Sequence, residues 1–217
     1  MKRAHKLLVS IFIILALIVS FHKYFLTDNK ETILHMINPK TTKDSLPTTK
    51  DNLVRINSYI KKDFPDNPKK YTLIDFGCGY GDVLLELHDN FNNSVGIEID
   101  SDVCIKAAEN VKKYKDIQII NKDMLKYNFK KTDTVLFMYE PLWSVEKDTA
   151  DKIYNNVFNK INAVFHNSTK KFYVIYVTGL KRKDIDETFI KKHKFNIVSK
   201  SVIGKKFVKR FIYILNK

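Results

Sequence analysis

Tyr71-Thr72-Leu73-Ile74-Asp75-Phe76-Gly77-Cys78-Gly79-Tyr80-Gly81 is the stretch that decides the fold. An apolar run closes on an acid, and glycines then fall at alternate positions. Such a run entering a glycine-rich turn reads as a strand leading into a helix. Working outward, Val95-Gly96-Ile97-Glu98 ends in a second acid, and Ile117 to Asn121 is followed by a third, Asp123. Strands ending in acids about 25 residues apart describe a βαβαβ unit whose strand ends share one nucleotide site.

The glycines let backbone approach a ligand where a Cβ would clash. A nicotinamide dinucleotide site wants G-x-G-x-x-G at this turn. Gly77 and Gly79 fit that fingerprint, but Asp82 stands where its third glycine belongs. The ordered pattern, acid-x-Gly-x-Gly-x-Gly, then acid, then acid, resembles the class I (seven-β-strand) S-adenosylmethionine-dependent methyltransferases. The resemblance implies that Gly77, Cys78, Gly79 and Gly81 lie under the methionine and ribose of S-adenosyl-L-methionine. It implies that Asp75 orients the loop and the cofactor's amino group. Glu98 would accept from the ribose hydroxyls, as a carboxylate at a strand end can do in bidentate fashion. Asp123 would accept from the adenine amino group, with Met124 as its backbone or packing neighbour.

The rest of the chain fits the same scheme. A helix after Thr49 or Asp51 has Leu53, Ile56 and Ile60 on one face and is broken at Asp63-Phe64-Pro65. Helices are expected over Asp82–His88, about Asp102–Lys113, Asp148–His166 and Ile185–Lys194. Further strands are expected at Thr134–Met138 and Phe172–Val177. Two β-rich runs, Phe195–Ile203 and Lys206–Leu215, flank Gly204 as a hairpin would. The expected fold is therefore α/β: a doubly wound, Rossmann-like methyltransferase sheet, mostly parallel, with a carboxyl-terminal antiparallel hairpin. It occupies residues 51–217, behind a linker over 27–50 that is interrupted at Pro39 and Pro47.

The fourth strand runs into Tyr139-Glu140-Pro141-Leu142-Trp143. Many amino-methylating members of the resembled fold have Asp or Asn, two prolines and an aromatic here. Glu140, Pro141 and Trp143 match three of those places, and Leu142 departs. Methyl transfer is an in-line displacement in which the enzyme chiefly positions two reactants. The catalytic candidates are Glu140 and Pro141, which could accept an amine's hydrogens and aim its lone pair, and Tyr139. Trp143 is the substrate-binding candidate, packing on a cation by cation–π attraction.

Composition narrows the partners. The chain has 217 residues and a formal net charge of +14, with 44% hydrophobic residues. That is enough for one α/β domain and an appendage. Residues 181–217 carry 12 Lys/Arg against 3 Asp/Glu. The lysines are spread through expected strands, not gathered in an RNA-binding module, so nucleic acid stays open as a partner without being favoured. Two cysteines, Cys78 and Cys104, suggest no disulfide framework and a reducing compartment. The six histidines show no metal-ligand spacing, so no metal is expected.

At the amino terminus, Lys2, Arg3, His5 and Lys6 precede fifteen uncharged residues, Leu7 to Phe21. With His22 and Lys23 at the interface, the segment reaches the roughly 20 residues of a span. Residues 1–26 are expected to be a membrane anchor or signal-like helix, giving a single-pass membrane protein with its catalytic domain on a reducing side supplied with cofactor. Pro47-Thr48, an amphipathic helix and then the glycine motif also resemble small archaeal lysine methyltransferases and their membrane-anchored mitochondrial relatives. Tyr80 and Asp82 depart from that group, which usually has Asp and Arg there. The resulting expectation is N-methylation of a protein side chain such as lysine. A small-molecule, lipid or RNA methyltransferase and a non-catalytic methyltransferase-like binding module are the alternatives.

Overall fold

The computed structural model describes residues 48–142, 145–179, 185–203 and 210–217. The expected anchor over 1–26 and the linker up to residue 47 lie outside them. Among the described residues no helix is long and apolar enough to cross a membrane.

The elements, in chain order, are α1 (Lys50–Asp63), β1 (Thr72–Phe76), α2 (Asp82–Leu87), β2 (Asn93–Glu98), α3 (Ser101–Val111), β3 (Ile117–Asn121), β4 (Thr134–Tyr139), α4 (Lys147–Phe165), β5 (Phe172–Gly179), α5 (Glu187–Lys192), β6 (Asn196–Ile203) and β7 (Arg210–Asn216). They build a seven-stranded sheet in the order β3-β2-β1-β4-β5-β7-β6. The first five strands are parallel, and β7 runs antiparallel between β5 and β6. This is the mostly parallel sheet with a terminal hairpin that the sequence implied.

Strands covered by helices on both faces are apolar at nearly every position, and β4 and β5 show the consequence. Leu136, Met138, Val174 and Tyr176 join a core layer with α4 and α5. Val135, Phe137, Tyr173, Ile175 and Val177 join the opposite layer with α1 and α2. The period-2 alternation thus sorts one continuous apolar run into two cores. On α4, Ala150, Tyr154, Val157, Phe158, Ile161 and Phe165 form the buried stripe that its 3.6-residue period predicts.

Several ends differ from the sequence expectation for local reasons. α5 is shorter than Ile185–Lys194: the Asp186 carboxylate accepts from the Phe189 N–H as an N-cap, and Lys194 takes φ 58° just beyond the last turn. β5 runs two residues past Val177 because Thr178 and Gly179 pair with Phe211 and Arg210 across the antiparallel ladder. β7 begins at Arg210, and Gly204 lies outside the described residues.

Strand β1 is central, and the order reverses across it: β2 and β3 lie on one side, β4 and β5 on the other. Ligands of open α/β sheets bind beyond the carboxyl ends of strands at such a switch point. Asp75, Glu98, Asp123 and Glu140 all lie at or just past those ends.

Candidate active site at the carboxyl ends of the central strands

The glycine loop is fixed before any ligand is considered. Gly77, Gly79 and Gly81 all take positive φ, at 71°, 53° and 87°. At Gly77 the need is also steric: a Cβ there would lie 2.9 Å from Pro141 Cβ. The Gly77 and Cys78 N–H groups both donate to the Ile97 carbonyl, at 2.9 and 3.2 Å. Cys78 turns its side chain into the core, beside Gly96, whose added Cβ would meet Cys78 Sγ at 2.7 Å. Burial raises the pKa of its thiol, so Cys78 is a packing residue with no nucleophilic role. Gly96 was not singled out in the sequence; a glycine inside an apolar strand was the available signal.

Glu98 ties the loop to β2. Its Oε2 accepts from the Gly79 N–H at 3.0 Å, and its Oε1 from Ile99 and Asp100 N–H at 2.8 and 3.0 Å. An ionised carboxylate has about four acceptor directions. Three are taken by backbone, which leaves one for a ligand hydroxyl. Asp100 caps α3 by accepting from Asp102 and Val103 N–H. Asn121, which the sequence reading passed over, donates its amide to the Glu98 and Ile99 carbonyls, each at 3.0 Å, and so fixes β3 to β2 at the site. Asp123 Oδ1 accepts from Leu125 N–H at 2.8 Å. Met124 opens a short 3-10 turn and packs, half-buried, on the core layer of α4. Ile99 is a second omission. It stands 70% exposed between Glu98 and Asp100 and offers an apolar surface at the strand end.

Asp75 is the least comfortable group. It is buried, and its Oδ2 has no hydrogen-bond partner among the described residues. Burial, then the Glu98 and Asp82 carboxylates, push its pKa up to about 8. A buried, unpartnered carboxyl oxygen beside a glycine loop suits a ligand that brings a cationic amine.

The end of β4 forms the other wall. Glu140 takes φ 44° and donates its N–H to the Val177 carbonyl at 3.2 Å. Its carboxylate is engaged by the Gly179 N–H and the Arg210 guanidinium. Tyr139 accepts at its hydroxyl from the Asn52 amide at 3.3 Å, and Arg210 lies 5.0 Å over its ring. Burial raises the Tyr139 pKa to about 12, which keeps it a neutral phenol. Trp143 lies outside the described residues. The structure thus brings Asp75, the glycine loop, Glu98 and Asp123 to one row of strand ends, and packs Pro141 against Gly77. Among the described residues no group of three or more His, Cys, Asp or Glu side chains is placed to share a metal ion.

Residues 73–162 match the model of the methyltransferase domain family. That match lies on a seven-stranded sheet with the fold of class I methyltransferases. The chain is similar in fold to magnesium protoporphyrin IX methyltransferase from Synechocystis, with a TM-score of 0.61 at 14% identity, covering 92% of this chain and 96% of that one. A putative RNA methyltransferase from Pyrococcus horikoshii gives a TM-score of 0.57 at 17% identity over 78% and 86% of the two chains. Among curated proteins, rRNA adenine N-6-methyltransferases of Limosilactobacillus reuteri and Lysinibacillus sphaericus are 26% and 28% identical over 149 and 153 residues, or 68% and 70% of this chain. The chain spans about half the length of these relatives, 55% and 56%.

Proposed function

We propose that this chain transfers a methyl group from S-adenosyl-L-methionine to a nitrogen acceptor. The observation that carries the reading is the row of Asp75, the Gly77–Gly81 loop, Glu98 and Asp123, faced by Pro141 across Gly77. The residues fit the cofactor. The orphaned Asp75 Oδ2 suits its ammonium, and the remaining acceptor direction of Glu98 suits a ribose hydroxyl. Asp123, with the exposed Ile99 just past the end of the paired strand β2, suits an adenine edge and face. The cofactor supplies a methyl group on a sulfonium. Transfer breaks one S–C bond, forms one N–C bond and releases a proton from nitrogen.

This chain's residues would do the positioning. The glycine loop and Glu98 hold the donor side, while Tyr139, Glu140 and Pro141 shape the acceptor side. Holding two reactants in line is worth several powers of ten in rate without any covalent role for the protein.

For the acceptor, we place a nitrogen of an RNA base ahead of the protein lysine expected from sequence. Both curated relatives are named for rRNA adenine, and the net charge of +14 favours a polyanion. No observation favours lysine. The membrane anchor at residues 1–26 stays part of this proposal as a sequence-based reading.

The test is methyl transfer from tritiated S-adenosylmethionine by the detergent-solubilised full chain to separate RNA, protein, lipid and small-molecule fractions. Label in RNA that ribonuclease removes is expected. Label confined to protein would restore the lysine reading. Tight S-adenosylhomocysteine binding without label would point to an acceptor outside these fractions, and no binding would overturn the proposal.

A further inference from the structure

The geometry points to Arg210 and Glu140 as a partly buried positioning clamp that sets the acceptor wall of the site. The inference rests on the proposed methyl transfer. It assigns Glu140 a different task from the one its place in the sequence suggests.

The carboxylate of Glu140 is already committed. Gly179 N–H donates to Oε1 and the Arg210 guanidinium to Oε2, and the two side chains are only 17% and 19% exposed. The dock is shaped for it, because a Cβ at Gly179 would lie 2.8 Å from Glu140 Oε1. A side chain at this end of β5 would make the carboxylate shift. Arg210 opens β7 and is held on its other side by the Tyr139 ring, 5.0 Å from its guanidinium carbon. Tyr139 is tied in turn to Asn52 of α1. Residues 52, 139, 140, 179 and 210 thus draw α1, β4, β5 and β7 to one point.

The clamp holds a backbone that would otherwise relax. Glu140 sits at φ 44°, a region that L-residues with long side chains adopt only when their surroundings impose it. The next residue, Pro141, is the one that lies against Gly77, on the donor side. Glu140's conformation therefore fixes the distance between the two walls of the site. A partly buried ion pair suits this task because breaking one partner strands the other charge. A carboxylate used this way does not take hydrogens from the acceptor. Arg210 and Glu140 are positioning residues, and they act together.

The experiment uses the full-length protein and the variants Glu140→Gln, Arg210→Met and the double variant. Three quantities are read: S-adenosylhomocysteine affinity, hydrogen exchange along the chain, and kcat and KM on the RNA fraction that wild type labels. The clamp predicts that each single variant raises exchange in residues 139–142 and 177–179, lowers kcat about tenfold, and leaves S-adenosylhomocysteine affinity within about twofold. The double variant should be no worse than either single one. The kcat–pH profile of Glu140→Gln should keep its wild-type shape, because no base has been removed. Loss of turnover in Glu140→Gln with Arg210→Met at wild-type rate would overturn the clamp and return Glu140 to direct catalysis. A uniform rise in exchange over the whole chain would overturn it too, reducing the pair to a general stabilising contact. If wild type binds no S-adenosylhomocysteine, the methyltransferase proposal fails, while the exchange pattern still decides whether the clamp exists.

Discussion

The two halves of the site are built in opposite ways. On the donor side, the hydrogen bonds that set the geometry stay within successive βα units and join residues no more than 23 positions apart: Glu98 to Gly79, Ile99 and Asp100, Asn121 to Glu98 and Ile99, Asp123 to Leu125, and Asp100 to Asp102. On the acceptor side, they join residues 39, 70 and 87 positions apart: Glu140 to Gly179, Glu140 to Arg210, and Asn52 to Tyr139. A site made from local contacts forms with its own βα units, whereas one made from distant contacts needs the hairpin and α1 in place first. Changes on the donor side should therefore act on cofactor affinity, and changes on the acceptor side on turnover.

Gly77 is where the two halves touch, so its substitution breaks the contrast and should have the largest effect. Gly77→Val places a β-branched side chain at φ 71° with its Cβ 2.9 Å from Pro141 Cβ. Backbone strain alone costs about 1–3 kcal/mol, before the clash is counted. Calorimetry should show S-adenosylhomocysteine affinity down by about 100-fold or more, about 2.7 kcal/mol, and turnover should vanish with it. Unchanged affinity would mean that the loop and Pro141 are not the two walls of one site.

Glu98→Gln sharpens the donor half. The substitution keeps shape but turns an acceptor into a donor facing a backbone N–H at one of its two oxygens. Hydrogen bonds to charged groups are worth about 1.5–3 kcal/mol each, and an amide recovers only part of that. We expect about 2 kcal/mol lost from stability and at least about tenfold from cofactor affinity, read by urea titration and calorimetry. Turnover at saturating cofactor should stay near wild type, since the acceptor wall is untouched.

Asp75 supplies a pH dependence confined to the donor half. Its carboxyl titrates near 8 in the folded chain, against 3.8 for the ordinary group. Between those values the folded state holds a proton that the unfolded state has lost. The contribution of Asp75 to stability is therefore greatest below about 4, falls as pH rises to about 8, and is flat beyond. Asp75→Asn should remove this slope and stabilise the ligand-free protein at pH 8, while weakening cofactor binding. In wild type an ammonium arriving at Oδ2 favours the charged form, so cofactor binding near pH 7 should release up to one proton. Calorimetry in two buffers of different ionisation heat measures it, and zero release would place the amine elsewhere.

The same contrast explains what could be read from the sequence. Asp75, Glu98 and Asp123 were legible because each lies at or just past the end of an apolar run. The parallel sheet and its terminal hairpin followed from apolar runs and breakers. Glu140 and Pro141 were legible as a motif, but the fate of the Glu140 carboxylate was not. Nothing near residue 140 announces that Arg210, which the hairpin was expected to carry mid-strand, begins β7 and reaches the end of β4. Gly179 lies beyond the expected strand Phe172–Val177, and its role appears only because β5 runs on to it. Asn52 and Asn121 carried no pattern at all, because single amides that bridge elements have no periodicity to betray them.

Asn52 gives the smallest expected effect and the finest cut between the two halves. It is buried on α1, and its amide donates to the Tyr139 hydroxyl at 3.3 Å, a long bond of about 0.5–1 kcal/mol. Tyr139→Phe leaves that amide without its partner inside the protein, and Asn52→Ala leaves the hydroxyl without its donor. Each single change should therefore cost about 1 kcal/mol of stability, and the double change should cost less than the sum of the two. The Asn52–Tyr139 hydrogen bond lies on the acceptor side, so S-adenosylhomocysteine affinity should hold in all three variants. Because Tyr139 lies under Arg210, a modest fall in kcat should accompany Tyr139→Phe only if the ring shifts with its hydroxyl. Equal kcat in wild type and Tyr139→Phe would locate the end of the acceptor-side network at Arg210, with α1 serving as packing alone.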